Sequence, residues 1–247
     1  DLTEKGGTVA SSKVRLSQSH PKYAAMVEAM DQAVGKVLNA VESSGLRKNT
    51  LVVFTSDHGG FSTNDGAPTS NAPLRAGKGW MYEGGIRVPF LARFPGVIQA
   101  GSTSAYPVSS PDLFPTLLDV SRVKNPILKA PYDGRSLLPV FQGRSLDQRA
   151  LYWHYPHYGN QGGAPTAAIR RGVWKLIVWQ EGPRPELFNL FEDPSEKNDL
   201  ASKYNDTMLK LRKELHLWQR SVGGKFPTKN PNFDPKKPSG RTTKYSA

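Results

Sequence analysis

Two stretches of the chain carry residue types that could do chemistry. Thr50–Gly60 reads TLVVFTSDHGG, an apolar, β-branched run that stops at Asp57 and His58 and is followed by two glycines. A carboxylate beside an imidazole can bind a cation, hold a water or cap a turn, and Asp before Gly-Gly is also common turn chemistry. A hard cation takes several oxygens, so ligands beyond Asp57 have to come from elsewhere. Lys78 follows 21 residues after Asp57 in LRAGKGWMYEGGIRVPF, between Gly77 and Gly79. Glycines let the backbone approach a ligand closely. An ammonium among them is a compact anion anchor, against the plainer reading of a solvated surface lysine.

The elements that must position these groups follow from periodicity. Tyr23, Met26, Met30, Val34, Val37, Leu38 and Val41 recur at spacings of three and four, predicting a helix over 21–44 with one apolar stripe packed into a core. Pro21 suits its first turn and Gly45 its C-terminal cap. Leu51–Thr55 then reads as a parallel strand buried on both faces. Ligands of such sheets sit at the carboxyl ends of the strands, where Asp57 and His58 lie. The segment 59–87 holds seven glycines and little periodicity, the composition of a functional loop. VPFLARFP (88–95) is a second strand, and SSPDLFPTLLDV (109–120) a helix with Ser110 as N-cap. The turn-rich PYDGRSLLPVFQG (131–143) lies over the surface of the first lobe.

Near residue 150 the character changes. AAIRRGVWKLIVWQ alternates and reads as a hairpin. Residues 203–220 carry a second helical stripe at Tyr204, Met208, Leu211, Leu215 and Trp218. The expected organisation is α/β: one lobe over 1–147, a small α+β lobe over 148–222, and an extended tail over 223–247. That tail has four prolines and six basic residues against one acid. The opening DLTEKGGTVASSK reads as a polar loop, and the chain as the later part of a longer polypeptide.

Composition narrows the chemistry. There is no cysteine among the 247 residues, which excludes disulfides, thiolate metal sites and a cysteine nucleophile within the chain. No apolar run is long enough to span a membrane. The net charge of +12 is spread, with 17 basic against 12 acidic residues before 151 and 16 against 9 after it. A spread excess is weaker evidence for nucleic acid than a dense patch and fits an anionic substrate at least as well.

SDHG, LRAGKGWMYEGGIRVPFLARFPG, DLFPTLLDV and DGRSLLPVF, in this order, resemble the formylglycine-dependent sulfatases of the alkaline-phosphatase-like superfamily. AIRRGVWKLI and ELFNLFEDPSEKNDLA resemble that family's small C-terminal subdomain. The resemblance runs over roughly residues 21–200. It implies the C-terminal part of an alkaline-phosphatase-like mixed sheet sandwiched by helices, followed by the small subdomain. It makes Asp57 a calcium ligand, His58 a ligand or hydrogen-bond donor beside metal and sulfate, and Lys78 the contact to a sulfate oxygen as the S–O bond breaks. Glu83 and Arg87 would brace the loop as an ion pair. It implies sulfuric ester hydrolysis of a sulfated carbohydrate or aryl sulfate in the periplasm or outside the cell. His154, His157 and Trp80 would line a substrate subsite, since aromatic rings and imidazoles suit a sugar face and its hydroxyls. For the two histidines the plainer reading is aromatic packing at the junction of the lobes. His20 and His216 read as surface or helix packing.

The family's formylglycine arises from a Cys or Ser in a Cys/Ser-x-Pro-x-Arg motif. NAPLR (71–75) has that outline, but Asn71 cannot become an aldehyde. The nucleophile is therefore expected in an N-terminal half of the same protein, which would be a partner of this chain. Two other readings stay open: a phosphodiester or phosphonate hydrolase of the same superfamily, and a non-catalytic sulfated-glycan binding protein.

Overall fold

Helix α1 spans Pro21–Ser43 in a computed structural model that describes residues 2–6, 10–63, 67–123, 132–159, 161, 163–181, 184–228 and 230–232. The His20 ring accepts the Tyr23 N–H at 3.2 Å, capping the first turn. At the other end Gly45 has φ +68°, and Leu46 N–H reaches back to the Val41 carbonyl at 3.1 Å. That is the glycine C-terminal cap the sequence predicts. The stripe is a different matter. No residue of α1 is buried, and Met26, Met30 and Val37 are 68, 48 and 63% exposed. The period is helical, but the core it should join is not among the described residues.

The described residues form two compact units, interleaved along the chain. One comprises 29–55 and 90–149. Its two-stranded sheet joins β3 (Val52–Thr55) antiparallel to β4 (Phe90–Arg93). The expected parallel, doubly buried strand is thus corrected, because β4 returns against β3 instead of following a crossover helix. Val52–Phe54 are half-buried and Thr55 is exposed. Helix α3 (Leu113–Val120) follows a short turn that begins one residue before the expected cap. Ser109, not Ser110, is that cap, and its N–H donates to Asp112 Oδ2 at 2.8 Å. Asp112 is fully buried; it also accepts the Arg135 N–H and pairs in bidentate fashion with Arg149. A bidentate Arg–carboxylate pair is the stronger kind, and the Arg135 N–H bond to the same carboxylate ties the DGRSLL segment to the start of α3. A single turn, α4 (Leu138–Phe141), closes this unit.

The other unit comprises 1–28, 56–89 and 150–247. The opening residues, expected as loop, form a hairpin of β1 (Leu2–Gly6) and β2 (Ala10–Val14). Strands β5 (Ala150–Tyr155), β6 (Thr166–Arg171), β7 (Trp174–Trp179) and β8 (Glu186–Asn189) make an antiparallel sheet in chain order. The β6–β7 hairpin and helix α5 (Asn205–Ser221) stand where periodicity predicts them. Leu211 and Leu215 of α5 pack on Ala167, Ile169, Leu176 and Leu187. Replacing Leu215, 2% exposed, by alanine is expected to cost about 2–5 kcal/mol, read from the denaturant midpoint. The basic tail after Asn232 lies outside the described residues.

Short helix α2 (Glu83–Ile86) and the loop before it pack on the opposite face of the same sheet. Trp80, Tyr82, Ile177, Trp179 and Phe188 share one apolar cluster there. The stretch 76–82 of the glycine-rich segment is thus a built part of the subdomain's core.

Candidate functional site

Asp57 stands two residues beyond the end of β3, and its side chain is 80% exposed. Its Oδ1 accepts the His58 N–H at 3.0 Å, and its Oδ2 lies 3.1 Å from His58 Nε2. Slight desolvation pushes the carboxyl pKa up. The His58 charge, the backbone N–H groups of residues 57 and 58 and the Ser56 hydroxyl outweigh it, so Asp57 sits below the ordinary aspartate range. The other nitrogen of His58, Nδ1, lies 3.0 Å from the Gly59 carbonyl. Both neighbours of the ring are oxygen acceptors. Each ring nitrogen thus has one oxygen within hydrogen-bond distance.

The backbone brings Lys78 to this pair. Gly59 N–H donates to the Gly85 carbonyl at 2.9 Å, and Lys78 N–H to the Gly60 carbonyl at 3.1 Å. The segments approach so closely that a Cβ on Gly59 would lie 1.7 Å from the Gly84 oxygen. Only a residue without a side chain fits at position 59. Asn71 clamps the loop from inside: its Oδ1 accepts the Gly60 N–H, and its Nδ2 donates to the carbonyls of Gly60 and Ala76. The residue that fails the aldehyde motif is a structural amide staple.

A buried ion cluster holds this loop on the sheet, and sequence reading does not find it. Lys175 of β7 is fully buried, with Nζ 2.9 Å from Glu83 Oε1 and 2.8 Å from Glu196 Oε1. Glu196 Oε2 also accepts the Glu83 backbone N–H at 2.5 Å. Burial raises the Glu196 pKa, opposed by the Lys175 ammonium and the Glu83 amide. The expected Glu83–Arg87 pair is present but long, at 3.9 Å, and Arg87 is half-exposed. The short partner of Glu83 is Lys175. Next to the cluster, Glu186 Oε2 accepts from the Tyr82 hydroxyl and the Trp179 indole, each at 2.8 Å. The Arg75 guanidinium lies 3.9 Å from the Tyr82 ring centroid. Burial, then the Glu186 charge, pushes the Tyr82 hydroxyl pKa far above its ordinary value. A lysine inside VWKLIVW, on the face of the strand that meets α2, is the one legible trace of this network.

The remaining candidates divide. Trp80 is 6% exposed, its ring stacks near Tyr82, and its Nε1 donates to the Gln161 carbonyl at 2.9 Å. It is a core residue, not the open wall expected of it. His154 uses both ring nitrogens internally, Nδ1 with Gln219 at 2.9 Å and Nε2 with the Lys225 carbonyl at 2.7 Å. Its ring also faces Phe226, which is the packing role. His157 is exposed, with its ring edge against Tyr155. Its loop reaches the Lys78 loop through Gln161, whose carbonyl accepts from both Trp80 and Thr63. His216 packs near Phe226.

The donor set suits a hard cation in part. Asp57 offers an ionised, exposed carboxylate. No group of three or more His, Asp or Glu side chains that could hold a metal occurs among the described residues. One exposed carboxylate is fewer oxygens than a hard cation takes, so a cation at Asp57 needs further ligands. No described helix is long and apolar enough to cross a membrane.

Comparison with known proteins gives this geometry a family. A family model described as "Sulfatase" matches residues 2–123, and one described as "N-sulphoglucosamine sulphohydrolase, C-terminal" matches 76–221. A "Sulfatase" of Formosa agariphila is 36% identical over 219 residues, covering 79% of this chain and 39% of the relative. "Arylsulfatase D" of Homo sapiens is 39% identical over 225 residues, covering 78% and 38%. Among solved structures, Ps i-CgsB in complex with k-i-k-neocarrahexaose matches with TM-score 0.68 at 32% identity, over 82% of this chain and 43% of that one. BT4656 in complex with its substrate D-Glucosamine-2-N, 6-O-disulfate matches with TM-score 0.64 at 30% identity, over 80% and 39%. The chain spans about two fifths of the length of these relatives. Together with the alkaline-phosphatase-like α/β architecture of these neighbours, the matches show that the chain belongs to the sulfatase family.

Proposed function

We propose that this chain is the C-terminal part of a sulfuric ester hydrolase and supplies half of its anion site. The observation that carries the reading is the backbone seam Gly59–Gly85 and Gly60–Lys78. It fixes the lysine loop beside the Asp57–His58 strand end. In this reading the Lys78 ammonium holds a sulfate oxygen and stabilises the charge that develops as the S–O bond breaks. His58, with Nε2 turned from Asp57 to the substrate, hydrogen-bonds the leaving group or a second sulfate oxygen. Asp57 contributes one ligand to a calcium ion, which would supply Lewis-acid polarisation of the sulfate. The nucleophile, a formylglycine, would come from another part of the polypeptide, since no Cys/Ser-x-Pro-x-Arg motif occurs in this chain. The exposed stripe of α1 supports such a partner segment, because an apolar helix face of this length needs cover.

The substrate is a sulfated carbohydrate or an aryl sulfate. His157, exposed on a loop tied to the Lys78 loop through Gln161, is the side chain here that would meet the sugar. The spread positive charge favours a polyanion, and export to the periplasm or beyond follows from the resemblance alone. The test is sulfate release by the full-length polypeptide, with paired aryl sulfate and aryl phosphate esters as substrates. Lys78→Ala is expected to lower kcat about 10²-fold, and a chelator to lower turnover until calcium is restored. Faster turnover of the phosphate ester would reassign the enzyme to phosphoryl transfer. Glycan retention with no turnover of either ester would make it a binding protein.

A further inference from the structure

Lys78 lies between two attachment points, and both lead to one residue outside the site. At the entry of its loop, Arg75 Nη1 donates to the Glu196 carbonyl at 2.9 Å. At the exit, the Glu83 N–H donates to the Glu196 carboxylate at 2.5 Å. These contacts link positions 121 and 113 residues apart in the chain. Glu196 is itself constrained: it is fully buried, its φ is +53°, and Lys175 lies 2.8 Å from its carboxylate. A non-glycine residue held in the left-handed region persists only where its surroundings over-determine it, and such residues gather at functional sites. Its complete burial keeps it from touching a ligand held at the surface.

We propose that Glu196 is a positioning residue for Lys78: from the turn after β8, its carbonyl and carboxylate together set where the lysine loop stands. Lys175 orients that carboxylate. Between the attachment points, the loop has its own short-range bonds, Gly84 N–H to the Arg75 carbonyl and Trp80 N–H to the Gly77 carbonyl. It therefore moves as a rigid piece, and a shift at Glu83 is passed to Lys78. The inference rests on the reading of Lys78 as the sulfate contact, and the experiment separates the two.

The test is a double-mutant cycle in the full-length polypeptide. Glu196→Ala removes the carboxylate anchor, while Glu196→Gln keeps an acceptor for the Glu83 N–H and serves as the conservative rescue. Expected is a loss in kcat of about 10-fold for Glu196→Ala at nearly unchanged KM, and of less than about 3-fold for Glu196→Gln, on the scale of losing one oriented contact. In the Lys78→Ala background the same Glu196 change should cost nothing further. Equal losses in both backgrounds mean a generally structural role and overturn the proposal. Amide hydrogen exchange supplies a readout independent of turnover. The Lys78 and Gly85 amides should exchange at least several-fold faster in Glu196→Ala, with β6 and β7 amides unchanged. Unchanged loop protection overturns the proposal even if no sulfate ester is hydrolysed. Loosened loop amides in an enzyme indifferent to Lys78→Ala leave the positioning intact and overturn the role given to Lys78. If Glu196→Ala does not fold, Glu196→Asp, which draws the carboxylate back from the Glu83 N–H by one methylene, carries both readouts, and loss of protection at the Lys78 amide decides.

Discussion

Gly59→Ala is expected to abolish turnover while the β5–β8 sheet stays folded. The added Cβ would lie 1.7 Å from the Gly84 oxygen and 2.7 Å from its carbonyl carbon. These are backbone atoms, so no rotamer change relieves the overlap. Gly84 cannot retreat either, because its own Cβ position lies 2.3 Å from the Arg75 oxygen and its N–H is committed to that carbonyl at 2.8 Å. The seam must open, which breaks the Gly59–Gly85 and Lys78–Gly60 bonds together and separates the Asp57–His58 pair from Lys78. Loss of more than about 10²-fold in kcat/KM is expected, comparable to removing a preorganised charge contact outright. Sulfate release and amide exchange at Lys78 measure it. Gly35→Ala is the control: nothing lies within 4 Å of its Cβ position in α1, and a helix-interior glycine replaced by alanine should gain about 0.5–1 kcal/mol. Activity retained in Gly59→Ala would mean that the seam does not set the site.

Lys175→Met should be the most destabilising single change in the subdomain. It strands two carboxylates, 2% and 0% exposed, around the place of one ammonium. Breaking a buried pair by removing one partner costs about 3–5 kcal/mol. The loss should depend on pH in a definite direction. Burial already raises the Glu196 pKa, and without the ammonium it rises further. A carboxyl whose folded pKa exceeds its unfolded value destabilises the fold progressively as pH climbs above about 4.3, the unfolded glutamate value. Denaturant midpoints of variant and parent should converge near pH 4 and part by pH 8. The triple change Lys175→Met, Glu83→Gln, Glu196→Gln removes all three charges and should recover most of the loss. A single variant as stable as its parent at pH 8 would show that the cluster is not a net charge pair in a dry core.

The legible parts of the molecule are those whose signal is local. The 3.6-residue period of α1 and α5, the Gly45 cap and the β6–β7 alternation depend on neighbours within a few positions, and the structure has them. Asp57 and His58 are visible because an apolar run stops there, and Lys78 because glycines flank it. What failed depends on partners far away in the chain. Leu51–Thr55 has the composition of a doubly buried strand, yet it pairs antiparallel with β4 and is only half-buried. Periodicity says that the α1 stripe is apolar, not what covers it. Trp80 near a lysine reads as a sugar platform until Tyr82, Trp179 and Gln161 enclose it. Asn71 and Glu196 carry no local mark, and Lys175 only that of a lysine inside an apolar strand, because each works through a contact whose other half is set by topology.

The anchoring of the lysine loop on β7 and the turn after β8 bears on how enzymes of this family can be recombined. A crossover placed near residue 147, where composition changes, would give Glu83 of one parent the Lys175 and Glu196 of another. Chimeras cut there would inherit a shifted lysine even when every segment facing the substrate comes from a single parent. Residues 56–89 and 150–222 should travel as one block, with 90–149 exchanged separately between them.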